Sequence, residues 1–329
     1  MKQFRLWLSV LPLFFPLYLV RFDVIGIPTT LLEVLVGMTA VWGVIAFVRP
    51  KQVIKWLNDQ REEWKDRAFW PVLLFLIAAI VSLFVASPET IDINGEIVQS
   101  GRLAFGIWKG WIVMPLVYFG MLYVVKRDDD FVSRSNLALI LSGVGLSVWA
   151  VYQMVTGDFY TIDGRASGPF NSANYLALYL APVLLAGVLS VVRFIEEQEW
   201  QRVGVFSAMV LFMGFALWGT QSYAAFIAFA AGLGFYVWVS PKTPKQVKWG
   251  SFGLALFVAG ILMVSQSGTQ KFQEFLDFEE RTSSSVRIEV YEIASDLIQQ
   301  HPLLGIGLGQ FELQYPLNAP EVLGHAPYE

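Results

Sequence analysis

NYLALYLAPVLLAGVLSVVR, residues 174–193, carries one charge, Arg193, at its far end. An α-helix rises about 1.5 Å per residue, so about 20 mostly apolar residues cross the hydrocarbon core of a bilayer. This stretch meets that requirement, and similar runs lie at 4–20, 26–48, 69–86, 106–125, 136–155, 203–219, 222–240 and 250–265. The expected fold is therefore an all-α, polytopic membrane helix bundle of about nine transmembrane helices. Composition agrees: 55% of residues are hydrophobic and 15% charged, against about a quarter charged in an average soluble domain, and mean hydropathy is +0.53.

Lys2 and Arg5 precede the first run, but Pro12 and Pro16 interrupt it and no small-residue cleavage site follows, so it reads as a retained signal-anchor helix. Basic residues set the orientation. Lys2, Arg5, the 49–68 loop, Lys126, Arg127, Arg134, Arg193, Arg202, Lys242, Lys245 and Lys248 fall on one side of the alternating spans, which is the cytoplasmic side. The other side holds Arg21, Arg102, Lys109 and Arg165. The N-terminus is then inside, residues 1–265 form the transmembrane bundle, and 266–329 form part of an outer-face domain with a helical segment. Asp128, Asp129 and Asp130 are expected to form a solvated turn. Trp108 and Trp111 sit with other tryptophans near span ends as interface anchors, and as outer-side rings they also suit stacking on a glycan.

Cysteine is absent and only His301 and His325 represent histidine, which removes thiol chemistry and argues against a metal site. No cofactor and no nucleic-acid partner are expected.

Three outward features can carry chemistry. The link GDFYTIDGRASGPFNSANYLALYLA (157–181) combines a glycine and proline turn with Arg165 and with Asn174 at a helix entrance. Arginine can hold two oxygens at once and a helix N-terminus favours anions, so this array suits phosphate or sugar hydroxyls; a capped turn with one solvated arginine is the equal alternative. The short link GTQSYAAF (219–226) puts Gln221, Ser222 and Tyr223 at the membrane edge. The third feature is RTSSSVRIEVYEIASDLIQQHPLLGIGLGQ (281–310), an amphipathic helix with Val286, Val290, Ile293, Leu297 and Ile298 on one face and Arg287 on the other. His301-Pro302 ends it, and Gly305 to Gly309 form a turn and not a dinucleotide fingerprint, because they follow a helix. Before it, KFQEFLDFEE (271–280) reads as a surface-lying helix. Glu33, within the second run, is either a general base or a hydrogen-bonded helix residue, and the second is favoured.

GRASGPFNSANYLALYLA at 164–181, the TQS turn at 220–222 and the arginine-led helix running into HPLLGIGLGQF at 301–311 together resemble the O-antigen ligase and O-antigen polymerase family of bacterial membrane glycosyltransferases. IPTTLLEVLVG at 27–37 agrees only loosely. The resemblance implies a multi-pass enzyme of the bacterial inner membrane, active on the outer face and independent of metal. It implies transfer of a glycan from an undecaprenyl-diphosphate carrier to an acceptor sugar hydroxyl on a glycan or glycolipid. Outer-face arginines would hold the diphosphate: Arg287 first, Arg165 second and Arg102 third, with Asn174 and Tyr223 in the substrate-binding set. Tyr223 stands where many members carry arginine. The family's His-Asn pair would lie beyond Glu329, which implies truncation at the C-terminus and leaves His325 as the catalytic candidate in the outer loop. A secondary transporter or flippase for a lipid-linked or anionic solute is the alternative; the absence of visible repeats counts against it.

Overall fold

The computed structural model describes residues 2–47, 69–85, 90–93, 96–125, 128–161, 163–239, 253, 257, 260–261, 264–265 and 283–323. The expected span at 250–265 is largely outside these residues, and the basic loop at 49–68, the 271–280 segment, Lys242, Lys245, Lys248 and His325 lie outside them. The described chain is mainly helical, as an all-α membrane protein should be. Four of its helices are long and apolar enough to cross a membrane: Gly101–Tyr123, Asp129–Thr156, Ala173–Glu196 and Trp200–Gly219. Leu31–Ile45, Trp70–Val85 and Tyr223–Val239 are shorter apolar helices.

The contacts divide the chain into two compact units. One consists of Met1–Leu8, Val20–Arg127 and Ser283–Glu329. Its opening helix α1, Lys2–Val10, continues as a 3₁₀ helix, Leu11–Leu19, where the second unit begins. The run at 4–20 thus departs from a uniform α-helix: Pro12 and Pro16 each remove a backbone donor, and the tighter i→i+3 pattern takes over. Trp7 Nε1 donates to Thr39 Oγ1 at 3.0 Å, and Phe4 meets the edge of Trp42, tying α1 to α2, Leu31–Phe47.

Between them lies an element the apolar pattern did not predict. Arg21–Val24 (β1) and Ile27–Thr30 (β2) pair antiparallel through a two-residue turn at Ile25 and Gly26, both with positive φ (56° and 72°). Two successive left-handed residues give the turn whose twist matches that of a hairpin. Thr90–Ile93 (β3) and Glu96–Gln99 (β4) form a second hairpin. It joins α3, Phe69–Val85, to a long helix built of α4, Ser100–Trp108, a π turn, Lys109–Val113, and α5, Met114–Val124. The C-terminal pair α10, Ser283–Gln300, and α11, Phe311–Leu323, packs around Ile293, Leu297 and Ala319. Ile298, expected on the apolar face, is exposed instead.

The second unit, Ser9–Leu19 and Asp128–Thr282, holds the best-packed bundle: α6, Asp129–Thr156, α7, Ala173–Glu196, α8, Trp200–Gly219, and α9, Tyr223–Val239. Asp128 is not in a solvated turn. Its carboxylate caps α6 by accepting from Phe131 N at 3.0 Å, while Asp129 and Asp130 fill the first turn, where the helix dipole favours negative charge. Between membrane helices there is little hydrophobic driving force, so close packing decides the assembly. Gly143 shows it: a Cβ there would lie 2.7 Å from Val183 Cγ1 and 2.9 Å from Met213 Sδ. Leu176, Leu180 and Met213 are fully buried in this core.

Candidate functional site

In the second unit, α6 ends on Gly157 in the left-handed conformation and α7 begins on Ser172, whose Oγ accepts from Asn174 N at 3.3 Å. The link between them folds back onto the turn at Gly219–Ser222, so two features far apart in sequence come into contact. Ala166 N donates to Gly219 O at 3.0 Å. Gln153, fully buried near the end of α6, holds the glycine turn with both ends of its amide. Oε1 accepts from Ser167 N (3.1 Å) and Gly168 N (2.8 Å), and Nε2 donates to Gly168 O (3.2 Å).

Arg165 is 7% exposed, so it is not the solvated arginine of the simpler alternative. Its Nε donates to Asp163 Oδ2 at 2.5 Å, and Nη1 donates to Asn174 Oδ1 and to Thr220 O, each at 3.4 Å. Thr161 Oγ1 accepts from Arg165 N and donates to Arg165 O, closing the small loop below the guanidinium. Burial alone would raise Asp163, but the charge of Arg165, its hydrogen bond, the Thr161 hydroxyl and the Arg165 backbone N–H together hold its carboxyl below the ordinary range. Three of the five guanidinium N–H groups are engaged by these bonds, and Nη2 has no partner among the described residues. The guanidinium is thus held in one orientation beside the Asn174 amide, with Asp163 as its counter-charge.

The neighbouring turn is equally constrained. Thr220 Oγ1 donates to Leu217 O at 2.7 Å and accepts from Ser222 N at 3.3 Å, and Gln221 takes a positive φ of 50°. Thr220, Ser222 and Tyr223 are all buried, and Tyr223 opens α9 directly after the turn.

Arg102 and Arg287 belong to the other unit. Arg102 is exposed, with its guanidinium against the backbone of Gly26, where a Cβ would collide with it. Arg287 is exposed on α10, just past the first turn. His301 follows that helix as expected: its N–H closes on Leu297 O at 3.0 Å, and Gly305, Gly307 and Gly309 all take positive φ in the turn beyond. Leu308 N donates to Ser82 O at 3.2 Å, which pins this turn to α3.

Two contributions were not read from the sequence. One is Gln153, an amide near the end of an apolar run whose signal is its polarity alone. The other is the pairing of Glu33 with Lys109, at 2.8 Å, each largely buried. Lys109 Nζ also donates to Pro28 O (2.8 Å) and Thr29 Oγ1 (2.7 Å). Glu33 is therefore an ion-paired helix residue, in line with the favoured alternative.

Residues 208–328 match the family described as O-antigen ligase. Over this segment, a little over a third of the chain, the sequence is similar to the O-antigen ligase family. The matched segment contains the 220–222 turn, Tyr223, Arg287 and the glycine turn, whereas Arg165 and its loop precede it. No curated protein and no solved structure matches the chain. That likeness, with the apolar helices, supports a multi-pass membrane protein of bacterial inner-membrane type and, in general terms, a function of the glycosyltransferase kind with lipid-linked glycan and acceptor partners.

Proposed function

We propose that the chain transfers a glycan from an undecaprenyl-diphosphate carrier to an acceptor sugar hydroxyl on the outer face of the inner membrane, as an O-antigen ligase or polymerase does. The observation carrying this is the joining of the Arg165 loop to the 219–222 turn, since the turn lies in the family segment and the loop brings it a buried, oriented cation. In the transfer, the bond from the anomeric carbon to the diphosphate oxygen breaks and one to the acceptor oxygen forms. The electron pair leaves with the diphosphate, and the acceptor proton passes to a base, for which His325 is the candidate. A diphosphate is already a good leaving group, so donors that match its growing charge are the main aid. We assign that role to Arg287 and Arg165, and substrate binding to Arg102, Asn174 and Tyr223, on the resemblance to the family. Residues 1–265 act as the membrane scaffold and 266–329 as the outer-face part of the site.

The test is transfer from a radiolabelled lipid-linked glycan to an acceptor glycolipid in proteoliposomes. Arg287→Ala should abolish product, and Arg165→Ala should lower it by about 10²-fold or more, the usual cost of one oxyanion donor, with membrane insertion unchanged. Full activity in Arg287→Ala overturns its role. Flux of the lipid-linked substrate without transfer would overturn the enzyme assignment in favour of a transporter or flippase.

A further inference from the structure

An arginine holds an oxyanion most firmly through a fork, two parallel N–H groups on one edge of its guanidinium. Nε and Nη2 form the side edge, Nη1 and Nη2 the end edge, and in Arg165 the protein has taken one member of each. Asp163 Oδ2 accepts from Nε at 2.5 Å, while Asn174 Oδ1 and Thr220 O share Nη1 at 3.4 Å. Nη2 belongs to both edges and has no partner among the described residues. What Arg165 offers a bound oxygen is therefore the two N–H groups of Nη2, aimed by the groups that hold the other two nitrogens.

Of those three acceptors only Asp163 is charged, and its bond is the shortest, so it contributes most to holding the guanidinium. A cation as buried as Arg165 needs a counter-charge, and without one it is driven toward water. The backbone is shaped to supply it. Gly164, between the two partners, takes a left-handed φ of 65°, and nothing lies within 4 Å of a Cβ placed there, so conformation alone calls for glycine. Thr161 Oγ1 accepts from Arg165 N at 3.0 Å and donates to Arg165 O at 2.8 Å, which fixes the point from which the side chain starts. The loop is joined to the bundle mainly elsewhere, by Gln153 at Ser167 and Gly168 and by Ala166 N on Gly219 O, so Asp163 acts chiefly on the guanidinium.

We propose that Asp163 is a positioning residue for transfer: it keeps the Nε edge of Arg165 occupied while the diphosphate is bound, so that the arginine meets the leaving group through Nη2 alone. This rests on the reading of Arg165 as a diphosphate ligand. It opposes the simplest expectation for a carboxylate beside an anion site, that removing it strengthens the site by relieving repulsion.

The test is a double-mutant cycle on the full chain in the proteoliposome transfer assay. Asp163→Ala should lower transfer about tenfold and Arg165→Ala about 10²-fold, and the double variant should fall no further than Arg165→Ala, because Asp163 acts through the guanidinium. Asp163→Asn keeps an acceptor for Nε without the charge and should lie between wild type and Asp163→Ala. Gly164→Ala strains the turn without altering either charge; it should lower transfer in the wild-type background but not beside Arg165→Ala, and it remains informative if Asp163→Ala fails to insert. A further tenfold loss in the double variant, to about 10³-fold, would mean that Asp163 supports the loop in general. Undiminished or increased transfer in Asp163→Ala would mean that it only competes with the substrate. Each of these overturns the proposal with Arg165 still a ligand, whereas full transfer in Arg165→Ala removes the underlying reading and the proposal together.

Discussion

Replacing Gln153 by leucine tests whether one buried amide holds the outer loop to the bundle. Leucine is close in size, so packing changes little, but two backbone donors lose their partner, Ser167 N–H and Gly168 N–H, while Gly168 C=O keeps the Ser167 hydroxyl at 3.4 Å. Ser167 and Gly168 are themselves buried, which limits replacement by water. At about 1 kcal/mol for each donor left unsatisfied, the low end for such groups, docking loses about 2 kcal/mol, or about 30-fold in its equilibrium. Hydrogen exchange followed by mass spectrometry should show peptides spanning 164–171 exchanging about 30-fold faster, with the middle of α6 unchanged. Gln153→Glu keeps an acceptor for the two N–H groups but sets a carboxylate against the Gly168 carbonyl, so its protection should fall between wild type and Gln153→Leu. Wild-type exchange in Gln153→Leu would refute the reasoning, and would mean that the Arg165 bonds and the Ala166–Gly219 bond hold the loop by themselves.

Lys109→Met should destabilise the first unit by about 3–5 kcal/mol, because it leaves the Glu33 carboxylate buried without its cation, and the double variant Lys109→Met/Glu33→Met should recover much of that loss in denaturant unfolding. Asp163 is held below the ordinary aspartate value of about 3.9, so its contribution to loop docking is complete above that pH and is lost as the pH falls through the lower folded value; proteolysis of the 157–172 loop across that window should accelerate, and Asp163→Asn should remove the dependence. Gly143→Ala and Gly145→Ala make the same change in helix propensity in the same helix, but only the first meets a neighbour, with Val183 at 2.7 Å against nothing within 4 Å for Gly145. The first should therefore be less stable than the second by about 1–3 kcal/mol in thermal unfolding.

Hydropathy made most of the helices legible, because a segment that must satisfy every backbone group within itself announces its length and composition. It also overstated their regularity. The run at 4–20 contains enough apolar residues for one span, but its prolines turn half of it into a 3₁₀ helix. The run at 26–48 starts later than expected, at Leu31, since the residues before it complete a hairpin that depends on two positive-φ positions and leaves little mark in hydropathy. Arg165 and the 220–222 turn were each recognisable from local chemistry. Their union was not, because it rests on Arg165 reaching a carbonyl 55 residues away. The same holds for Glu33 and Lys109: a carboxylate in an apolar run is visible, but which cation meets it is a property of how two helices lie together.

The π turn at Lys109–Val113 has a consequence for the phase of the long helix. Met114 N bonds to Lys109 O, five residues back, so this turn accommodates one residue more than an α-helix would. An α-helical residue corresponds to about 100° of rotation, and the extra one therefore turns everything before it by that amount relative to everything after it. Residues up to Trp108 can thereby present Gly106 to Pro28 of the hairpin, while α5 presents a different stripe to α2. Deleting Ile112 would return the helix to regular register, and only one of those two faces would still meet its neighbour. A single inserted residue thus lets one continuous helix serve two partners that lie in different directions around its axis.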